Sequence, residues 1–138
     1  MNVSIYDLFF KLLEDVQADY YFFCDQDDFW LKSKLKIMLF EISKYQNTPA
    51  MVYCNLKCVD KDLQPLKNSF EKMIGHIRGK SRFIGNDVSG CVMVINNSLK
   101  KITLENLKFY AGIVMHDWWL ALVAQQFGSI GFIIYKTY

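Results

Sequence analysis

The chain has 138 residues, 52% of them hydrophobic, and 16 lysines and arginines against 14 acidic residues leave a net charge of +2. That length fits one domain, and that apolar content excludes a disordered chain. The basic residues are scattered rather than massed, so no nucleic-acid partner is expected.

Ser4 is placed to cap a first helix, with Asp7 near its positive end. Ile5, Leu8, Phe9, Leu12, Leu13 and Val16 then recur at helical spacing. Tyr20 to Cys24 is an uninterrupted apolar run, which reads as a strand buried on both faces. Asp25-Gln26-Asp27-Asp28 follows abruptly. Leu31, Leu35, Met38, Leu39, Ile42 and Tyr45 mark a second amphipathic helix that stops near Asn47 and Pro49. Ala50 to Cys54 is a further apolar strand. Asp60 to Gly85 is polar, interrupted by Pro65, Gly75 and Gly79, and reads as loop with short helix. Cys91 to Ile95 is a strand entered through Ser89-Gly90, Ser98 begins a short helix, and Asp117 opens a helix ending near Gly128. Ile130 to Tyr135 is the last strand. Trp118 to Tyr135 carries no charge, but Gln125, Gln126, Gly128, Ser129 and Gly131 interrupt it. A helix, a turn and a strand are expected there instead of a membrane span.

Strands alternating with helices give an α/β domain with parallel strand pairs. Ligands gather at the carboxyl ends of such strands, where Asp25 to Asp28 falls. Three carboxylates within four residues repel one another unless a cation or donors neutralise them. In an extended segment Asp25 and Asp27 face the same side and offer paired oxygen ligands for Mg2+ or Mn2+. The competing reading is a solvated loop in which Asp27 or Asp28 caps the next helix. The four cysteines, Cys24, Cys54, Cys58 and Cys91, lack zinc-site spacing and read as reduced residues of a cytoplasmic protein. The first residues show no signal peptide.

Four ordered segments carry a wider resemblance. Phe22-Phe23-Cys24-Asp25-Gln26-Asp27-Asp28-Phe29-Trp30 with Lys34-Leu35, then Val52 to Leu56 with Val59-Asp60, resemble successive motifs of family 2 glycosyltransferases, rhamnosyltransferase-like members above all. Asn86-Asp87-Val88-Ser89-Gly90-Cys91 and Met115-His116-Asp117-Trp118-Trp119-Leu120 are similar to two more. The resemblance implies a GT-A-like (Rossmann-like) fold, a mostly parallel sheet flanked by helices and incomplete at the N-terminus. It runs from about Asp19 to Gly131 and implies that residues 1–138 are a single partial domain, because the leading strands and a closing histidine segment of the family have no counterpart in the sequence.

The implied activity is inverting transfer of a sugar, with rhamnose in view, from a dTDP- or UDP-sugar to a bacterial surface polysaccharide. Asp27 and Asp25 would hold Mg2+ or Mn2+. Asp25, Asp27, Asp28 and Gly90 would line the donor site, and Asp117 would be the catalytic base. Trp118 and Trp119 would offer the acceptor a platform, although one of them is expected in the core. Asp117 also reads as a helix N-cap, Ser89-Gly90 as a strand-entry turn, His116 as a local hydrogen-bond partner, and Lys34 as an exposed helix lysine rather than a phosphate ligand. The implied acceptor is lipid-linked, which places the protein peripherally at the inner face of the plasma membrane. The alternative of the same fold is a non-catalytic remnant or partner subunit that completes another chain. A magnesium-dependent phosphotransfer domain is the unrelated rival, but the sequence has no glycine-rich phosphate loop.

Overall fold

A computed structural model describes residues 5–66, 74–77, 79–110 and 115–134, with side chains described from Leu8 onward. Ser4, Asp7's side chain and Tyr135 therefore lie outside what can be compared.

Helix α1 (Ile5–Asp15) leads into strand β1 (Tyr20–Phe22). Helix α2 (Lys34–Ile42), extended by a 3-10 turn at Ser43–Tyr45, leads into β2 (Ala50–Cys54). After the loop come β3 (Met93–Asn96), α3 (Asn97–Glu105), α4 (His116–Phe127) and β4 (Ser129–Ile133). The uncharged segment from Trp118 is thus split between α4 and β4, as its glutamines and glycines require. Among the described residues no helix is long and apolar enough to cross a membrane.

The four strands form one sheet in the order β1-β3-β2-β4. The domain is α/β, but the expected mostly parallel sheet needs correction. β3 runs against both β1 and β2, and only β2 and β4 pair in parallel. The sequence concealed this because a central strand buried on both faces is an apolar run whichever way it runs.

Alternation along the central strands sorts their side chains into two cores. Met51, Tyr53, Met93 and Ile95 face α1, α3 and α4, with Phe10, Leu13, Leu99 and Leu120. Ala50, Val52, Cys54 and Val94 face the other way, onto Met38 and Ile42 of α2. Every residue of β2 and β3 is buried. Burial of each large apolar side chain stabilises by about 1.5–3 kcal/mol relative to exposure, so these two strands anchor the domain. Asn96 ties the elements together. Its Oδ1 accepts from the amides of Ala50 and Leu99, both at 3.0 Å, and its Nδ2 donates to the carbonyls of Tyr45 and Thr48. At the far end, a side chain at Gly128 would bring its Cβ within 1.8 Å of the Pro49 carbonyl oxygen. Only glycine lets α4 turn into β4 against β2's approach.

Candidate functional site

β1 ends at Phe22, two residues earlier than the apolar run, and leaves Cys24 exposed. Of the four cysteines, only Cys54 and Cys91 are buried, and none forms a disulfide. The acidic segment is a turn rather than an extension of the strand. The Asp28 amide donates to the Asp25 carbonyl at 3.3 Å. A turn brings its first and fourth residues together. Asp25 and Asp28 therefore converge with Cys91, their ligand-type atoms all within 4.8 Å of one another, while Asp27 sits at the turn and outside that group. The segment is thus not the extended one in which Asp25 and Asp27 were expected to face the same side. Neither Asp27 nor Asp28 caps α2, whose N-cap is Ser33.

The turn forms one wall of a cavity of about 1070 Å³. Asp25, Asp27, Asp28 and Asp60 line it, as do Lys34, Lys57 and Lys61, with Phe29, Trp30, Leu63 and Leu66 among its apolar lining. Partial burial, then the charges of Asp28 and Asp27, push the Asp25 carboxyl above its ordinary pKa. Lys34 is half-buried, not the exposed helix lysine expected. Its Nζ donates to the Cys91 carbonyl at 2.7 Å and lies 3.8 Å from the centre of the Trp30 ring. Burial lowers its pKa. Lys34 is thus a strut from α2 to the segment that carries Cys91, and an ammonium in the cavity wall.

Asp117 lies in the first turn of α4, whose N-cap is Met115, so it is not the cap. It is 3% exposed. Its Oδ1 accepts from Asn86 Nδ2 at 3.1 Å and from the Trp118 amide at 2.6 Å. Its Oδ2 accepts from the Gly90 amide at 3.1 Å. Burial raises its pKa, and these donors oppose the rise. Asp117 helps line a second cavity of about 220 Å³ with Asn86, Asp87, Ser89 and Met115.

The two cavities meet along three consecutive residues. Ser89 lines both, Gly90 donates to Asp117, and Cys91 completes the group with Asp25 and Asp28. His116 packs behind this junction. Its ring stacks on Phe9 at 4.0 Å, and a Cβ at Gly90 would lie 2.9 Å from its Nε2. Neither His116 nitrogen has a hydrogen-bond partner among the described residues, which corrects the expected hydrogen-bond role. Burial lowers its pKa to about 4. Gly90 is therefore required by the close approach of an imidazole, beyond any need of a turn.

Trp119 is in the core, edge-on to Tyr110. Trp118 is half-buried, and its indole nitrogen donates to the Arg82 carbonyl at 2.8 Å. Arg82 and Asp87 form a buried ion pair at 2.5 Å, and Asp87 Oδ2 accepts from the Tyr53 hydroxyl and the Ile77 amide. Sequence reasoning passed over Arg82, and it quoted Asn86 and Cys91 within a motif without giving either a role. An arginine in a polar loop carries no local sign that it is buried, and a cysteine distant in sequence carries none that it meets an aspartate.

No protein-family model, curated protein or solved structure matches the chain.

Proposed function

We propose that the chain is the metal-and-base part of an inverting glycosyltransferase of GT-A type, acting on a nucleoside-diphosphate sugar. The observation that carries this reading is the Ser89-Gly90-Cys91 junction, which joins an acidic cavity wall to a buried carboxylate. Two carboxylates within 4.8 Å of each other and of the Cys91 sulfur offer paired oxygen ligands for a divalent cation, and burial, then the charges of Asp28 and Asp27, hold the Asp25 pKa up, a rise that a cation would oppose. Burial pushes the Cys91 thiol up to about 11, so it is protonated and a poor ligand, and the oxygens of Asp25 and Asp28 suit Mg2+ or Mn2+. Bound there, the cation would neutralise charge on the departing diphosphate.

The remaining chemistry belongs to the chain. Asp27 and the lysines of the same wall face the donor, Lys57 and Lys61 countering its phosphates. Asp117 Oδ2 takes the proton of the acceptor hydroxyl as the new glycosidic bond forms. Its raised pKa makes it a stronger base than an exposed aspartate. The half-buried face of Trp118 suits an acceptor sugar. In this reading the donor is a dTDP- or UDP-sugar, with rhamnose in view, and the acceptor is a growing surface glycan. A lipid-linked acceptor would hold the protein at the inner face of the plasma membrane.

The test is release of nucleoside diphosphate from a panel of nucleotide sugars with Mn2+. Asp117→Asn is expected to lower turnover by roughly 10²–10⁴-fold while sparing donor binding. Turnover that survives Asp117→Asn, or equal loss of binding, would refute the assigned roles. Phosphate release from a phosphomonoester without sugar transfer would point to phosphotransfer instead.

A different observation favours a second reading. β1 is an edge strand, and Leu8 and Leu12 of α1 are about half exposed, at 50% and 54%. Under this reading the chain is a non-catalytic subunit that pairs with another chain of the same fold. A complex seen by light scattering, with no metal-dependent nucleotide binding, would support it over the first.

A further inference from the structure

Among the described residues, three others donate to Asp117, and one of these donors is a side chain. The Gly90 and Trp118 amides are fixed by the backbone. Asn86 is a choice of residue. Its Nδ2 divides its two hydrogens between the Val88 carbonyl at 2.8 Å and Asp117 Oδ1 at 3.1 Å. Its Oδ1 accepts from the Val88 amide at 3.1 Å. Turned over, the amide would set its oxygen against two acceptors, so the network fixes its orientation.

The geometry points to Asn86 as a positioning residue for the Asp117 carboxylate, one that selects which oxygen acts; the inference rests on the proposed role of Asp117 as base. Among the described residues, Oδ1 accepts from two other residues and Oδ2 from one. A carboxylate oxygen has about two lone-pair sites. The capacity left on Oδ2 is where an acceptor's proton can go. Asn86 thereby holds the plane of the carboxylate and keeps Oδ1 occupied. Through Val88 the same side chain shapes the backbone just before Ser89, the start of the junction between the two cavities.

No other common side chain reproduces this set. Aspartate would present an acceptor to the Val88 carbonyl and to Asp117. Serine can turn toward its own backbone but does not reach both partners. Alanine leaves Asp117 with its two amides. The bland account is that Asn86 merely closes a local turn over Val88. That account predicts no change at Asp117 beyond folding.

The test uses the full chain and carbon-detected NMR of the Asp117 carboxyl, together with kcat and KM. In Asn86→Ala the Asp117 titration is expected to move to higher pH, because a donor to the charged form is gone. In Asn86→Asp it should move further, since a second carboxylate replaces that donor. Turnover should fall about 10- to 100-fold in Asn86→Ala, with KM little changed, and its rise with pH should follow the shifted titration. Should Asn86→Ala fail to fold, Asn86→Ser keeps a local turn and should show the same upward move. A folded variant whose Asp117 titration matches that of the wild type would overturn the inference. The NMR result needs no sugar transfer, so an inactive wild type would count against the proposed reaction and leave this assignment to the titration.

Discussion

Asp25 and Asp117 are the same residue type held in opposite ways. Asp25 stands on an exposed turn beside two like charges, with no side-chain donor to it among the described residues. Asp117 is buried and takes hydrogen bonds from three other described residues. Both carboxyls titrate above their ordinary value. For Asp25, modest burial and crowding are relieved by adding a cation. For Asp117, burial is the main cause and the donors oppose it, so relief comes from a proton. In the proposed reading one region receives positive charge and the other a proton.

That difference sets the order in which substitutions should hurt. The largest effect on folding is expected beside Asp117. Arg82→Met leaves Asp87 buried without its cation and should destabilise by about 3–5 kcal/mol, read by urea unfolding. A loss under 1 kcal/mol would mean that the pair is wetter than its burial indicates.

Gly90→Ala comes next. Its Cβ would press on His116, which cannot retreat because Phe9 is stacked on it. A destabilisation of about 1–3 kcal/mol is expected, with the residue-90 amide displaced from Asp117 Oδ2. Unchanged stability would show that the imidazole has room to move.

The third effect is a dependence on pH. His116 has a folded pKa of about 4 against an ordinary 6.5. Its neutral form is the one the fold accepts, so its contribution is full above 6.5 and is lost as pH falls toward 4. Asp117 runs the other way: its raised pKa gives a contribution present at low pH and lost as pH rises through its folded value. His116→Leu should therefore flatten the acid-side loss between pH 6.5 and 4, by on the order of 2 kcal/mol. An unaltered slope would place the acid sensitivity elsewhere.

The smallest effect on folding should come from the exposed turn. Asp25→Asn or Asp28→Asn is expected to change stability by no more than about 0.5 kcal/mol while abolishing Mn2+ binding. A large loss of stability would mean that the turn is structural, and the comparison would fail.

The sequence revealed these two regions unequally. β2 was legible to the residue, because Ala50 to Cys54 is apolar and bounded by Pro49 and Asn55. α1 was legible from its periodicity, and the end of α4 from the glycine after Phe127. Asp117 was singled out through the resemblance of the segment from Met115 to Leu120. What stayed hidden were long-range meetings. Periodicity reports which face of an element is apolar, not which way a neighbouring strand runs, so β3's reversal was invisible. Nor does local spacing reveal that Asp25 turns back to Asp28 and that both meet Cys91. Asn86 stood in a motif without a role and Arg82 looked like an ordinary loop residue, and only the fold gives them Asp117 and Asp87 as partners.

The most direct measurement is thermal unfolding of the 138-residue chain with Mn2+ and with UDP or dTDP, separately and together. A cooperative transition raised only by the pair is predicted, and a ligand at 100 times its Kd would stabilise by about 2.7 kcal/mol. A transition indifferent to the pair, or raised as much by nucleotide alone, would contradict a metal-dependent donor site at the acidic turn.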